Sequence, residues 1–505
     1  MLEMKPTVFQ RIYFACWITC LAVLPMSHTI AFRNLLLLLL LIFLGIHFVR
    51  QQNRISDFIA SLKSLPRAFV VWAIFLLLFP LWSIEPHEAW LNLLGQWGAS
   101  LLAWLIGFTA YWALGNYGPT LISLAIASAM PIVIHLLLSV LAWGGALGAS
   151  FPMGMEPGKL WSLFSQNYQS ISINSFGLSN FPWFFRGLEP MHGNLGYPAC
   201  QAIILFIAMF YSENLRQNFK LVIFAPIAIG LCIASTLIAS SRGAFLYTLI
   251  IFVLVAFSWH VKQSREPSSS TNRKMSFSFL SIGLVVSFGV FSLAATIITK
   301  DSRWQTMVDK VYLGLSQENP IQLLCEGLSP DQETKIRQTY AHHSADYVDD
   351  LINGLKGQDG GRILLMRAGL DMVFTHPIGQ DGSRSSYNKL VEKECGHKPV
   401  LDFANLHQSW MDLALGLGWI GAGLFALLLI YFLRTGWRQY YVNEGEASAW
   451  GLALFLIATF WFLRGFTDTL YREHYLQMQA MVMGCIYGRL FFHKKTSEQP
   501  LTLAA

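Results

Sequence analysis

Asn405-Leu406-His407-Gln408-Ser409-Trp410-Met411-Asp412 runs directly into Leu413-Ala414-Leu415-Gly416-Leu417-Gly418-Trp419-Ile420-Gly421 and then into unbroken apolar sequence to Leu433. A polar segment, 299–408, ends there, and a stretch long enough to cross a bilayer begins. A membrane helix needs roughly 20 apolar residues. By that measure about twelve stretches qualify or nearly do: 9–27, 31–49, 68–84, 97–115, 120–145, 197–212, 221–241, 243–260, 276–298, 409–433, 448–463 and 475–492. The chain has 505 residues, 54% of them hydrophobic and 13% charged, against about 25% charged in soluble proteins. The expected fold is all-α: a polytopic membrane protein of about twelve transmembrane helices with a long, mostly helical loop.

Basic residues in short loops set orientation, because Lys and Arg are retained on the cytoplasmic side. Arg50, Arg54, Lys63 and Arg67 flank the second loop, Arg216 and Lys220 the sixth, Lys262, Arg265, Arg273 and Lys274 the eighth, and Arg434 and Arg438 the tenth. All are even-numbered loops. Both termini then lie in the cytoplasm, and the connections near 85–96, 146–196, 242, 299–408 and 464–474 face outward. The 299–408 loop carries twelve Lys plus Arg against fifteen Asp plus Glu, so it lacks a cytoplasmic excess of positive charge. The net charge of +6 sits in short clusters between apolar runs, so no basic domain is present to bind nucleic acid.

The chain divides into spans at 1–298 with an aromatic outward loop at 146–196, the polar loop at 299–408, further spans at 409–495 and a tail at 496–505. The N-terminus reads as a retained first helix, since no small-x-small cleavage site follows Pro25. The aromatics of 146–196 suit an interfacial belt, and also stacking on sugar rings. Residues 264–276 read as a cytoplasmic linker. Within the polar loop, helix is expected near 304–315, 330–356 and 361–375, with turns at Pro377-Ile378-Gly379 and Asp381-Gly382-Ser383. The loop should form a small helical lid rather than a separate domain. Cys325 and Cys395 are its two cysteines, and they could pair if the loop faces an oxidising compartment.

Ionisable residues at membrane edges are functional candidates by default. The orientation brings Arg242, Arg362, His407 and Asp468 to one outward face. Arginine presents a planar, permanently charged fork that matches phosphate oxygens. Histidine, with an ordinary pKa of about 6.5, can be neutral at working pH and accept a proton. Together they suit group transfer from a diphosphate donor to a hydroxyl. Plainer readings stand beside this one: Arg242 as an interfacial anchor, His407 as a helix-capping residue, and Arg464, Arg472, Glu473 and His474 around Asp468 as a solvated ion-pair cluster. Gly416-Leu417-Gly418-Trp419-Ile420-Gly421 fits the dinucleotide fingerprint, but no strand precedes it. Its small residues should instead let a neighbouring helix approach closely.

Arg242-Gly243-Ala244-Phe245-Leu246 fits Arg-x3-Leu, and His407-Gln408 followed after nine residues by Gly418-Trp419-Ile420-Gly421 fits His-(Asn/Ser/Gln)-x9-Gly-x-x-Gly. These motifs resemble those of bacterial O-antigen ligases, a superfamily that also holds O-antigen polymerases and protein O-oligosaccharyltransferases. Arg186-Gly187 with His192-Gly193-Asn194, and Gly361-Arg362 with Pro377-Ile378-Gly379, look similar too. The resemblance covers roughly 180 to 485. It implies a GT-C-like membrane glycosyltransferase of the Gram-negative inner membrane, working at the periplasmic face. The enzyme would move a glycan from undecaprenyl pyrophosphate to a hydroxyl of lipid A-core oligosaccharide. By motif, Arg242 and Arg362 would bind the pyrophosphate and His407 would activate the acceptor, with Arg186, Asn194 and Arg367, the last close to Arg362, in support; Asp468 is added from its place at the same face, as a partner that orients a positive group. No cofactor is implied, and two fixed arginines can neutralise a leaving diphosphate without a metal. His342-His343 with Asp346, Asp349 and Asp350 have metal-compatible spacing but also read as a solvated acidic helix. Polymerase and protein oligosaccharyltransferase are the nearest alternatives. A twelve-helix transporter, favoured by Pro131 and His135 within one span, is the different-class rival.

Overall fold

The computed structural model describes residues 7–26, 29–50, 63, 65–143, 195–212, 218–238, 241–265, 306–357, 359–468 and 473–498. Among these residues all regular structure is helical. Seven helices are long and apolar enough to cross a membrane: Ile30–Val49, Pro86–Leu114, Leu121–Leu141, Lys220–Ile238, Gly243–Ser264, Ser409–Val442 and Gly445–Arg464. Val8–Val23, Arg67–Leu81 and Gly196–Met209 are shorter apolar helices, and Glu473–Glu498 is a further helix. The chain is thus a multi-pass membrane protein. Every expected span except 276–298 coincides with a helix. That span, the 146–196 loop up to 194 and most of the 264–276 linker lie outside the described residues, and the count of twelve is not reached by length and apolarity alone.

Helices in lipid gain little from hydrophobic burial against one another, so they associate through close backbone approach. Gly98–Leu114 and Glu473–Glu498 pack in this way. A methyl added at Gly107 would lie 2.2 Å from the Met481 carbonyl oxygen, and one at Gly484 2.3 Å from that of Trp104. Polar contacts gather at the two ends of the bundle. At one end Lys262 Nζ donates to the Tyr440 and Asn443 carbonyls and to Ser448 Oγ at 3.1, 2.8 and 2.7 Å, and Arg489 pairs with Glu446 at 2.8 Å. At the other end of the same Gly445–Arg464 helix lie Arg464, His407 and the polar segment. The eighth and tenth loops, which the basic residues assign to one side, therefore meet on one side.

The described part of the polar segment folds as helices Met307–Ser316, Pro320–Glu326, Pro330–Thr339, Ala345–Gly357, Asp359–Thr375 and Ser386–Cys395. The expected helix over 330–356 is broken at 340–344, where Ser344 Oγ accepts from the Tyr347 amide and starts a new helix. Pro320–Glu326 and Ser386–Cys395 were not expected as helices. The first is short and is set by Asn319, whose side chain accepts from Gln322 N ahead of Pro320. Cys325 and Cys395 form a disulfide, with Cα atoms 5.3 Å apart, that joins these two helices. Leu323, Leu364, Leu365, Met372 and Leu390 share one apolar cluster with Leu406 and Leu415 of the following segment. The lid is therefore continuous with the membrane part.

Ser409–Val442 is two helices in one. Gly418 has φ +76° and ψ 172°, a left-handed φ that favours glycine. The Trp410 and Phe425 rings come within 6.3 Å, whereas fifteen residues of unbroken helix would span about 22 Å, so the chain folds back sharply. The freed backbone groups pair with the 377–382 loop: Gln380 N donates to Leu415 O at 3.0 Å, Gly382 N to Gly416 O at 2.9 Å, and Trp419 N to Pro377 O at 3.1 Å. Gly416 and Gly418 thus admit a loop where a neighbouring helix was expected, while Gly421 does meet a helix, a methyl there falling 3.0 Å from the Phe75 ring of Arg67–Leu78. On its other edge the loop accepts from Ile84 N and Glu85 N, which brings the 85–96 and 299–408 loops to one face.

Candidate functional site

The short segment 405–408 is bent by its own polar groups. Asn405 Oδ1 accepts from His407 N at 3.0 Å, and the buried Asp412 accepts from Leu406 N at 3.0 Å. Gln408 caps the next helix by accepting from Met411 N at 2.6 Å. These bonds hold His407 at φ +52°; among the described residues no other non-glycine has positive φ. Backbone of this kind costs roughly 1–2 kcal/mol for a residue with a Cβ, and it persists only where the surroundings enforce it.

Ser409 ties this turn to the end of the Gly445–Arg464 helix: its amide donates to Gly465 O at 2.8 Å and its hydroxyl to the Asp468 carbonyl. Asp468 faces the Arg464 guanidinium and the His407 ring. Oδ2 accepts from Arg464 Nη2 at 2.8 Å, and Oδ1 lies 3.5 Å from His407 Nδ1. The second is a histidine–carboxylate contact longer than an ordinary hydrogen bond, the loose form common in sites that tighten around substrate. Burial alone would raise the Asp468 carboxyl. The Arg464 guanidinium, with His407 and Arg362, outweighs burial and holds Asp468 well below the ordinary carboxylate range.

Arg464 is only 5% exposed. Its guanidinium lies over the rings of Tyr197 and Tyr247 at 4.8 and 5.2 Å and donates to Thr467 Oγ1 at 3.3 Å. Tyr247 in turn donates to the Leu463 carbonyl at 2.9 Å. Of the solvated cluster considered around Asp468, Arg464 is instead desolvated and enclosed by aromatic faces; Arg472 and the Glu473 side chain lie outside the described residues. Sequence reasoning missed Arg464, Tyr197 and Tyr247 as site residues. The available signal was an arginine closing an apolar helix four residues before Asp468.

The helix Arg242–Arg265 starts beside this group, since a methyl on Gly243 would fall 2.3 Å from Arg464 Nη1. The Arg242 side chain, together with Arg186 and Asn194, lies outside the described residues. Arg362 is exposed in the first turn of Asp359–Thr375, near enough for its charge to act on Asp468. Arg367 points elsewhere: its Nη1 donates to the carbonyls of Gly314, Leu315 and Gln317 and closes the end of Met307–Ser316.

Among the described residues no group of three or more His, Cys, Asp or Glu is placed to hold a metal ion. Asp349 pairs with Arg337 at 2.7 Å and Asp350 with Lys310 at 2.7 Å, while His342 and His343 pack on each other at 4.1 Å.

A helical membrane bundle, a polar lid and a histidine–carboxylate–arginine group at their junction define a multi-pass membrane protein with an enzyme-like site at one end. Residues 227–426 match the family model described as O-Antigen ligase, which bears out the family resemblance drawn from the motifs. Members of that family are membrane enzymes of the glycosyltransferase type. The match contains Arg242, Arg362, His407 and the break at Gly418, and it ends at 426, before Arg464 and Asp468. No curated protein matches the chain.

Proposed function

We propose that this protein is an O-antigen ligase. It would transfer a glycan from undecaprenyl pyrophosphate to a hydroxyl of lipid A-core oligosaccharide at the periplasmic face of the Gram-negative inner membrane. The observation that carries the reading is the contact of His407 with Asp468, itself paired to the buried Arg464. The acceptor oxygen attacks the anomeric carbon, and the bond from that carbon to the pyrophosphate oxygen breaks. The acceptor proton passes to a neutral His407, and the resulting imidazolium is stabilised by Asp468, a carboxylate held ionised. Arg362 and Arg242 grip the departing diphosphate with charge-assisted bonds of about 1.5–3 kcal/mol each. These fixed cations supply the neutralisation that a divalent ion would otherwise supply, and direct displacement predicts inversion. Arg367, spent on backbone carbonyls, is the weaker candidate for this task than Arg362. The division of the chain at 298, 408 and 495 goes with the same reading: spans 1–298, lid 299–408, spans 409–495 and tail 496–505.

The disulfide supports an outward, oxidising location for the lid. Against a transporter, the helix carrying Pro131 and His135 continues over Leu121–Trp143, and the broken helix is instead the one beside the lid. Complementation of a ligase-null Gram-negative strain, read by lipopolysaccharide gel, tests the proposal. Restoration of long O-chains by the wild type and their loss in His407→Ala are expected. Chain extension in a polymerase-null strain instead would make the protein a polymerase, and wild-type ligation by His407→Ala would remove the base. Activity should persist under chelation; complete loss restored by a divalent ion would sink the two-arginine account.

A further inference from the structure

Met307–Ser316 turns its Lys310, Leu313 and Gly314 inward; Gly314 sits against Ile363 and the Gly360 carbonyl of Asp359–Thr375. At 100° per residue, Val308, Tyr312 and Leu315 fall on the opposite side, and they are 72, 65 and 51% exposed. Where Met307–Ser316 ends, at the carbonyls held by Arg367, the helix beneath continues and presents Leu370 and Phe374 in the same direction, the latter 64% exposed. The apolar core of the lid, Leu364, Leu365, Ala368 and Met372, is on the other side of that helix. The Phe374 ring meets the Trp419 ring edge-on at 5.8 Å, and Trp419 Nε1 donates to the Val373 carbonyl at 2.7 Å. Trp419 and Ile420, the latter 69% exposed, belong to the membrane-spanning helix just past its break.

An exposed apolar band of this extent on a polar segment marks an interaction surface. Its occupant follows from where the band ends: Phe374 packs on Trp419, beside the exposed Ile420 of a spanning helix whose outer side faces lipid. An amphipathic helix carrying such a face lies in the plane of the interface with its apolar residues about 5–10 Å into the headgroup boundary. We propose that the lid is seated on the bilayer itself. Phospholipid covers Val308, Tyr312, Leu315, Leu370 and Phe374, so that Met307–Ser316 and the end of Asp359–Thr375 are interfacial helices.

The test is photo-crosslinking of the full chain in phospholipid nanodiscs, with a benzophenone amino acid placed singly at Tyr312, Leu370 or Phe374. Ile420 serves as the lipid-facing reference and Gln338, exposed on the polar Pro330–Thr339 helix, as the aqueous one. Retention of the Cys325–Cys395 disulfide reports that each variant has folded. The expected result is a phospholipid adduct at all three positions and at Ile420, and none at Gln338. Three outcomes overturn the proposal: no adduct at the three positions while Ile420 gives one, dimer-mass products showing a second copy on this face, or adducts that form only after undecaprenyl pyrophosphate is added.

Discussion

His407 is held by its neighbours in a backbone conformation it would not choose. Substituting Ala keeps the Cβ and the strain but removes the imidazole, so transfer should fall by about 10²–10⁴, the usual loss for a general base, in a membrane assay with lipid-linked donor. Arg464→Lys tests the positioning group. A lysine cannot lie flat between Tyr197 and Tyr247 while pairing with Asp468, so kcat should drop with KM little changed. The Asp468 carboxyl sets a pH signature. Its folded pKa is lowered, so its stabilising contribution is complete above the ordinary carboxylate value of about 3.9 and is lost as pH falls through the lower folded value. Thermal unfolding should therefore show no change from this pair between pH 5 and 9. Asp468→Asn should be less stable across that range and should lack the acid-side loss.

Gly418 and the 377–382 loop act as one element. Adding a methyl at Gly418 combines a disfavoured φ with contacts at 2.8 Å to Gly379 N and 2.9 Å to Pro377 O. Gly418→Ala should therefore destabilise the lid junction by about 2 kcal/mol or more, read as early loss of the lid in hydrogen exchange. The same loop is latched by Lys389, which reaches Asp381 at 2.8 Å and Glu85 at 2.5 Å. Burial opposes the charge of Asp381, yet bonds from Lys389, Ser386 and Ser383 lower its pKa; Lys389 is raised by the same carboxylates despite its own burial. By sign, the latch is complete from above the carboxylate range up to the ordinary lysine value, and weakens outside that window. Lys389→Met should increase protease cutting of the loop at neutral pH toward the level the wild type shows in acid.

Of these elements, the spans were legible because 20 apolar residues leave little else to form, and His407 because a polar residue opening such a helix stands out. The fold-back at Gly418 was not legible, since a glycine motif reads alike whether a helix or a loop approaches it. Arg464 was hidden for another reason. A charge at the end of an apolar run looks solvated until Tyr197, 267 positions earlier in the chain, is seen against it.

At the scale of the whole molecule, the disulfide joins Pro320–Glu326 to Ser386–Cys395 across a separation of 70 residues, closing a loop that contains Arg362. Losing a native disulfide typically costs 2–5 kcal/mol. Cys325→Ser with Cys395→Ser should lower the protein's unfolding temperature and speed hydrogen exchange in Pro320–Glu326 and Ser386–Cys395 first. Gly445–Arg464 is fixed at both of its ends, by Lys262 at Ser448 and by Asp468 at Arg464. The neighbouring Arg242–Arg265 shares both attachments, with Lys262 at one end and the Tyr247 hydroxyl on Leu463 near the other. Two struts braced top and bottom cannot rock past one another without breaking both sets of contacts at once. The two helices form a fixed abutment, and any movement that admits a substrate to the Arg464–Asp468 pair falls to the polar segment packed at their end.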